Sequence, residues 1–277
     1  MARVSTVRSL PAAALRAGEL LRSADVDMSD VSRAIQHDPG LAGNVLRLAN
    51  SAFFGFPQQV DSVRDALVRL GTKQVMRVVM ASAAASVMHG AVRGYDLPAG
   101  GLWQHSIAVA LAAEQLPVVL GISVTDDMFT AGLLHDVGKT VLGTFVEVDA
   151  APIVKMAFEQ HISFEQAERR VLGTDHAEVG ARLLDSWNLP ATIVNVSRWH
   201  HEPEQASERS SALDIVHTAD ALALMYGIGT GRDGLNYRPS STVISRLQIN
   251  VHVMEDTACR VLETLTELRG MFAAATV

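Results

Sequence analysis

The chain has 277 residues, 48% of them hydrophobic, with 23 Lys and Arg against 30 Asp and Glu. That is enough apolar material for one large core or two modest ones, and a net charge of −7 with no basic block gives non-specific nucleic-acid binding no footing. Cys259 is the single cysteine, which excludes an intrachain disulfide and a thiolate metal cluster.

Leu, Ala and Val dominate and aromatics make up 5%, a mixture that favours helix over strand. The opening MARVSTVRSLPAAALRAGELL lacks a sustained apolar stretch and reads as a poor signal peptide. Segment 78–88, the longest weakly polar run, falls far short of the roughly 20 residues that span a bilayer. A cytoplasmic protein without membrane contact is expected.

Helical spacing of apolar residues runs almost throughout. Ala12 to Leu21 is a short amphipathic helix, and Met28 to His37 a second with Ser29 as its expected N-cap. Asp38-Pro39 breaks that helix and can open the next, which stripes Leu41, Val45, Leu48 and Ala49 on one face. SAFFGFPQQVDS (51–62) reads as a loop whose Phe53, Phe54 and Phe56 need burial, either in a seam between lobes or on a docking surface. Helices over 63–70 and 72–88 are separated by Gly71.

RGYDLPAGG (93–101) is the sharpest internal punctuation and suggests a subdomain boundary. Further helices are expected at about 102–116, 126–135, 139–148, 151–160, 163–171, 176–187, 190–200, 210–226 and 240–272, with no convincing strand. Asp175-His176-Ala177-Glu178 resembles a capping box that puts His176 in a first helical turn. GIGTGRDGLNYRPSS (227–241) reads as a flexible connector; its glycines follow no strand, which argues against a phosphate loop.

The histidines of the second half fall at structured places. His105 lies early in a helix, and in GLLHDVGKTVL the doublet His135-Asp136 directly follows two leucines. His176 opens a helix, His200-His201 closes another, and Asp220 follows in DIVHTADALAL with His217 one turn before it. Imidazoles and carboxylates drawn from several helices suit a divalent iron, manganese or zinc ion. A carboxylate beside a histidine can bridge two ions, which together would acidify a water and clamp a phosphate. His37, His89, His161 and His252 have no such company.

The order His105, His135-Asp136, His176, His200-His201, Asp220 resembles the HD superfamily of metal-dependent phosphohydrolases. That resemblance implies His105, His135, Asp136 and Asp220 as core metal ligands, with Asp136 bridging. It implies His176, His200 and His201 as the extra histidines of dinuclear members such as HD-GYP phosphodiesterases, and Lys139 as a lysine beside the substrate phosphate. IQHDPGLAGNVLRLANSAFFG (35–55), VDSVRDALVRLGTKQVMRVVMASA (60–83), LWQHSIAVALAAEQL (102–116) and HAEVGARLLDSWNLPATIVNVSRWHHEP (176–203) narrow the likeness to the HDOD (HD-related output) domain over about residues 10–226. The implied architecture is all-α: an N-terminal helical lobe (1–95) packed on an HD-like helical lobe with the metal site (96–226), then a linker and helical extension (227–277).

HDOD domains are similar modules of bacterial signalling chains, many of which have lost HD ligands and act through protein contacts. This chain keeps an unusually full ligand set. It lacks the Gly-Tyr-Pro run of HD-GYP enzymes, reading EPEQASERSSALDI after His201, which tells against cyclic di-GMP hydrolysis. The leading expectation is a regulatory protein that contacts a signalling partner and retains one or two metal ions, with a nucleotide or phosphate as a further ligand. The alternative is a metal-dependent phosphohydrolase with Asp136 and Lys139 as its catalytic pair. In that reading Lys139 neutralises a phosphate oxygen, against a bland one in which it is a solvated surface lysine. An inert relic, with pairs such as His217 and Asp220 hydrogen-bonded to each other, is the third reading. Helix 251–272 could pair two copies as a homodimer.

Overall fold

The computed structural model describes residues 9–23, 25–50, 59–124, 127–146, 150–234 and 236–273. The Phe53, Phe54 and Phe56 loop lies outside them. Among the described residues the chain is helical, without a β-strand; Val92 and Leu97 form one isolated bridge. The chain divides into two compact units, one reaching to Val87 and taking in the residues from Leu262 onward, the other Met88–Val261. No helix among the described residues is long and apolar enough to cross a membrane.

The first unit holds α1 (Ala12–Leu21), α2 (Met28–Gln36), α3 (Pro39–Ala49) and α4 (Val63–Met88), with α1 packed on α2 and α2 on α3. Pro39 starts α3, where its missing N–H costs nothing, and Asp38 Oδ1 accepts from the Leu41 N–H at 3.0 Å. The cap of α2 is Asp27 rather than Ser29: its carboxylate accepts from the Ser29 N–H at 2.7 Å, so the helix begins at Met28 and Ser29 lies inside the first turn. Gly71 interrupts α4 with φ +70° and ψ 165°, a conformation that costs glycine little and other residues more. Before that break Val63, Ala66, Leu67 and Leu70 are buried at helical spacing.

The second unit is built round α5 (Gly101–Leu120), which is apolar on nearly every side and therefore central. It packs against α6 (Met128–Leu134) and α12 (Ser211–Met225). Around these stand α7 (Lys139–Val146), α8 (Ala151–Gln160), α9 (Phe164–Leu172), α10 (His176–Ser186) and α11 (Ala191–Trp199), with α8 on α9 and α10 on α11. The capping-box expectation holds at α10, where Asp175 accepts from the Glu178 N–H at 2.8 Å.

Two expectations of the C-terminal region are corrected. The single helix over 240–272 is two, α13 (Ser241–Arg246) and α14 (Val251–Ala273). Gln248 turns left-handed at φ +53°, and Asn250 caps the restart by accepting from the Val253 N–H at 3.1 Å. The stretch after α12, read as a flexible connector, is tied into the second unit. The Ile228 carbonyl accepts from His105, Asp233 is buried, and Asn236 donates to the carbonyls of Ala157 (2.9 Å) and Ile162 (3.1 Å). At Gly229 an added Cβ would stand 2.6 Å from the Gly101 carbonyl oxygen and from His105 Cβ, so this glycine permits the close approach.

Candidate metal centre

The candidate ligands sit where helices begin or end. His135 follows α6, and Asp136 lies in the turn before α7. His176 is the first residue of α10, and His200 and His201 follow α11; His105 and Asp220 project from α5 and α12. Two glycines make the convergence sterically possible. At Gly132 an added Cβ would lie 2.9 Å from Ala110 Cα on α5, and at Gly138 one would lie 1.9 Å from the His176 carbonyl oxygen. The GLLHDVG stretch therefore runs against two helix backbones at once, which explains why its small residues flank the doublet.

All seven candidate ligands meet. They form two groups, His105-His135-Asp220 and Asp136-His176-His200-His201, each with ligand atoms within 4.8 Å of one another. Asp136 stands between them. Its Oδ2 faces His105 Nε2 at 3.6 Å and His135 Nε2 at 3.3 Å, while its Oδ1 faces His176 Nε2 at 3.4 Å and His200 Nε2 at 3.6 Å. Asp220 Oδ1 closes the first group, 3.1 Å from His105 Nε2 and 3.7 Å from His135 Nε2.

The far side of most rings is anchored. Nδ1 of His105, His135 and His200 bonds the carbonyls of Ile228 (2.9 Å), Gly132 (2.7 Å) and Ser197 (2.7 Å). Nδ1 of His176 bonds Glu168 Oε2 at 2.6 Å. A ring that donates through Nδ1 presents the lone pair of Nε2, the usual outer bonding of a metal-ligating histidine. Those inward atoms are the ones left over: Nε2 of His105, His135 and His200, Asp136 Oδ1 and Asp220 Oδ2 are buried without a hydrogen-bond partner. Buried polar atoms are seldom left so, and converging lone pairs repel unless a cation or proton lies between them. A divalent ion in each group would satisfy them, and the donor set fits iron, manganese or zinc.

The electrostatics agree in sign. Burial alone would raise Asp136 and Asp220. Lys139 and His135 hold Asp136 well below the usual carboxylate range instead, and His105 and His135 do the same for Asp220. Burial would lower His135, but Asp136 and Asp220 outweigh it and the imidazole is pushed up to about 10. His200 and His201 stay low, chiefly through burial. The pocket thus has an excess of negative charge that a proton, or a metal in its place, neutralises.

Lys139 is not a solvated lysine. It is buried, ion-paired with Asp136 and with Asp233 Oδ2 at 2.6 Å, and its Nζ lies 5.7 Å from the centre of the Tyr95 ring. Burial would lower its pKa; the two carboxylates outweigh that and keep it charged. His217 does not pair with Asp220. Its Nδ1 donates to the His200 carbonyl and its Nε2 accepts from the Ser240 N–H at 2.8 Å, so it holds the end of α11 and the start of α13.

Three residues of this network escaped the sequence reading. Glu168 is buried and accepts from the His176 ring, from the His176 N–H at 3.1 Å and from the Tyr95 hydroxyl. Tyr95 lay in the stretch read as a boundary, and Asp233 in the presumed connector. The one available signal for Glu168 was its spacing of eight residues before His176, too weak to single it out.

A cavity of about 370 Å³ opens beside the second group, lined by His161, Ser163, Glu165, His201, Tyr237 and Arg238 among others. His201 is the one ligand that is only partly buried.

Known proteins are similar to this chain in sequence and fold. The HDOD domain matches residues 7–203. An HDOD domain protein of unknown function from Geobacter sulfurreducens is similar at 25% identity and a TM-score of 0.72, covering 98% of this chain and 90% of that one. A protein from Shewanella amazonensis described as a "Putative phosphohydrolase" is 28% identical with a TM-score of 0.69, covering 95% of each chain. An uncharacterised protein of Treponema pallidum is 26% identical over 212 residues, 76% of this chain but 40% of its own length. The chain thus spans less than half the length of the curated relatives it matches. With the profile covering well over half of its residues and an all-helical fold shared along nearly its whole length, this chain belongs to the HDOD domain family.

Proposed function

We propose that this chain is a regulatory HDOD protein whose HD-type centre holds divalent metal, iron, manganese or zinc, and which passes its signal through contacts with a protein partner. The observation that carries the metal is the set of inward, unpartnered, buried donor atoms on either side of Asp136. The rings of His105, His135 and His200 are already bonded through Nδ1, so rotation cannot relieve their Nε2 atoms. The commitment of Lys139 to two carboxylates supports regulation over turnover, because a lysine so paired has no charge to spare for an incoming phosphate.

A second reading, phosphohydrolase activity on a nucleotide or phosphodiester, is favoured by the cavity at His201. Bound ions would supply an acidified water and a phosphate clamp. Asp136 would orient the water, and Lys139 would have to leave Asp233 to meet a phosphate oxygen.

Elemental analysis of the chain purified without chelator, beside Asp136→Ala, tests the proposal. Near-stoichiometric metal that disappears in the variant is expected, with no turnover across a panel of phosphodiesters. Turnover that vanishes with Asp136→Ala would favour the second reading, and a chain that takes up no metal after reconstitution would contradict both.

A further inference from the structure

The two halves of the centre are not equivalent. His105, His135 and Asp220 are all buried, and both rings are tied through Nδ1 to backbone carbonyls. This half also has Asp220 in addition to Asp136 Oδ2. Lys139 pairs with that oxygen, whereas Asp220 Oδ1 faces His105 and His135.

The other half has Asp136 Oδ1 as its sole carboxylate oxygen. Its His201 differs from every other histidine in the centre. His201 lines the 370 Å³ cavity, and its Nδ1 is buried without a hydrogen-bond partner, so the ring is held from behind by packing on His200 and Tyr237 and by no hydrogen bond. Its Nε2 lies 2.8 Å from His176 Nε2. His176 is the opposite case, held by Glu168 through both its ring and its backbone N–H. A carboxylate behind a histidine raises its strength as a ligand, and loss of such support weakens metal binding by roughly 10–100-fold.

We propose that the halves load unequally: the enclosed half keeps its ion, while the half at the cavity takes up and releases a second divalent transition-metal ion. His201 is the exchangeable ligand and Glu168 the residue that positions His176. This rests on the metal-holding reading above and names the input of the regulatory protein, the availability of that second ion. The cavity is the route by which it enters.

The test is titration of the metal-free full chain with Zn²⁺, by calorimetry and by metal content after gel filtration, for the wild type, His201→Ala and Glu168→Gln. His201 is partly exposed and Gln keeps the size of Glu, so a thermal melt should show both variants folded. Two classes of site are expected in the wild type, one surviving gel filtration. Both variants should weaken the second class about 10–100-fold and leave the first unchanged. Two equal classes, a single class, or variants that weaken both classes alike would overturn the inequality while leaving the metal reading intact. A wild-type chain that binds no Zn²⁺ would overturn the metal reading itself.

Discussion

The two compact units bury different chemistry. Among the described residues the first encloses Ala, Val, Leu, Ile and Met, with Ser32 and Ser82 as its buried polar side chains. Every buried acid, lysine and histidine lies in the second, between His105 and Asp233. An apolar core stabilises through area removed from water, whereas buried charges cost several kcal/mol per ion unless paired and hydrogen-bonded. The second unit thus keeps a network that is worse for stability than leucines would be, and the proposed ion would make such a network favourable. The contrast teaches where to look for function: the first unit's sequence is explained by packing, the second's is not.

That contrast can be broken by removing its central anion. Asp136→Ala takes one of two partners from buried Lys139 and the shared carboxylate from four histidines. A loss of about 3–5 kcal/mol in urea denaturation is expected, together with loss of metal. Stripping metal with a chelator should cost the unmutated chain about 3–4 kcal/mol relative to a free ion concentration several hundred times Kd. It should also leave a pH signature. His135 in the folded, metal-free chain titrates at about 10 against an ordinary 6.5, so its folded pKa is raised. Its contribution is then complete below about 6.5 and is lost as pH rises through about 10. Denaturation of the metal-free chain across that window should show falling stability, whereas the loaded chain, with the proton displaced, should not.

Gly138→Ala sharpens the comparison by steric means. Its Cβ would meet the His176 carbonyl oxygen at 1.9 Å and the Gly180 nitrogen at 2.5 Å, both backbone atoms that cannot swing away. A destabilisation of about 3 kcal/mol is expected, with weaker metal retention because His176 is pushed from Asp136. The smallest effect belongs to the first unit. Ile35→Val should cost about 0.5–1.5 kcal/mol by melting and leave metal content unchanged, since Ile35 is buried in an apolar setting far in chemistry from the centre.

How much of this was legible in the sequence depended on whether the determinant was local. The break at Gly71, the start at Pro39 and the cap at Asp175 are set by one residue's own geometry, and the structure has them where the sequence put them. The break at Gln248 is marked by neither Gly nor Pro; Asn250, as a cap, was the overlooked sign. The ligand types stood out because histidines and aspartates punctuated apolar helices. Their supports did not, because the Tyr95–Glu168 bond spans 73 positions and the Lys139–Asp233 pair 94. Lys139 read as a phosphate-facing or a solvated lysine, and neither reading foresaw its burial, since only the tertiary fold brings the second carboxylate that makes it tolerable.

The most direct test is an anomalous difference map from crystals of the chain grown with Zn²⁺. Two peaks about 3.5–4 Å apart, one on each side of the Asp136 carboxylate, are the predicted result. Peaks elsewhere on the surface, with the seven side chains closed on one another and no density between them, would contradict the metal centre.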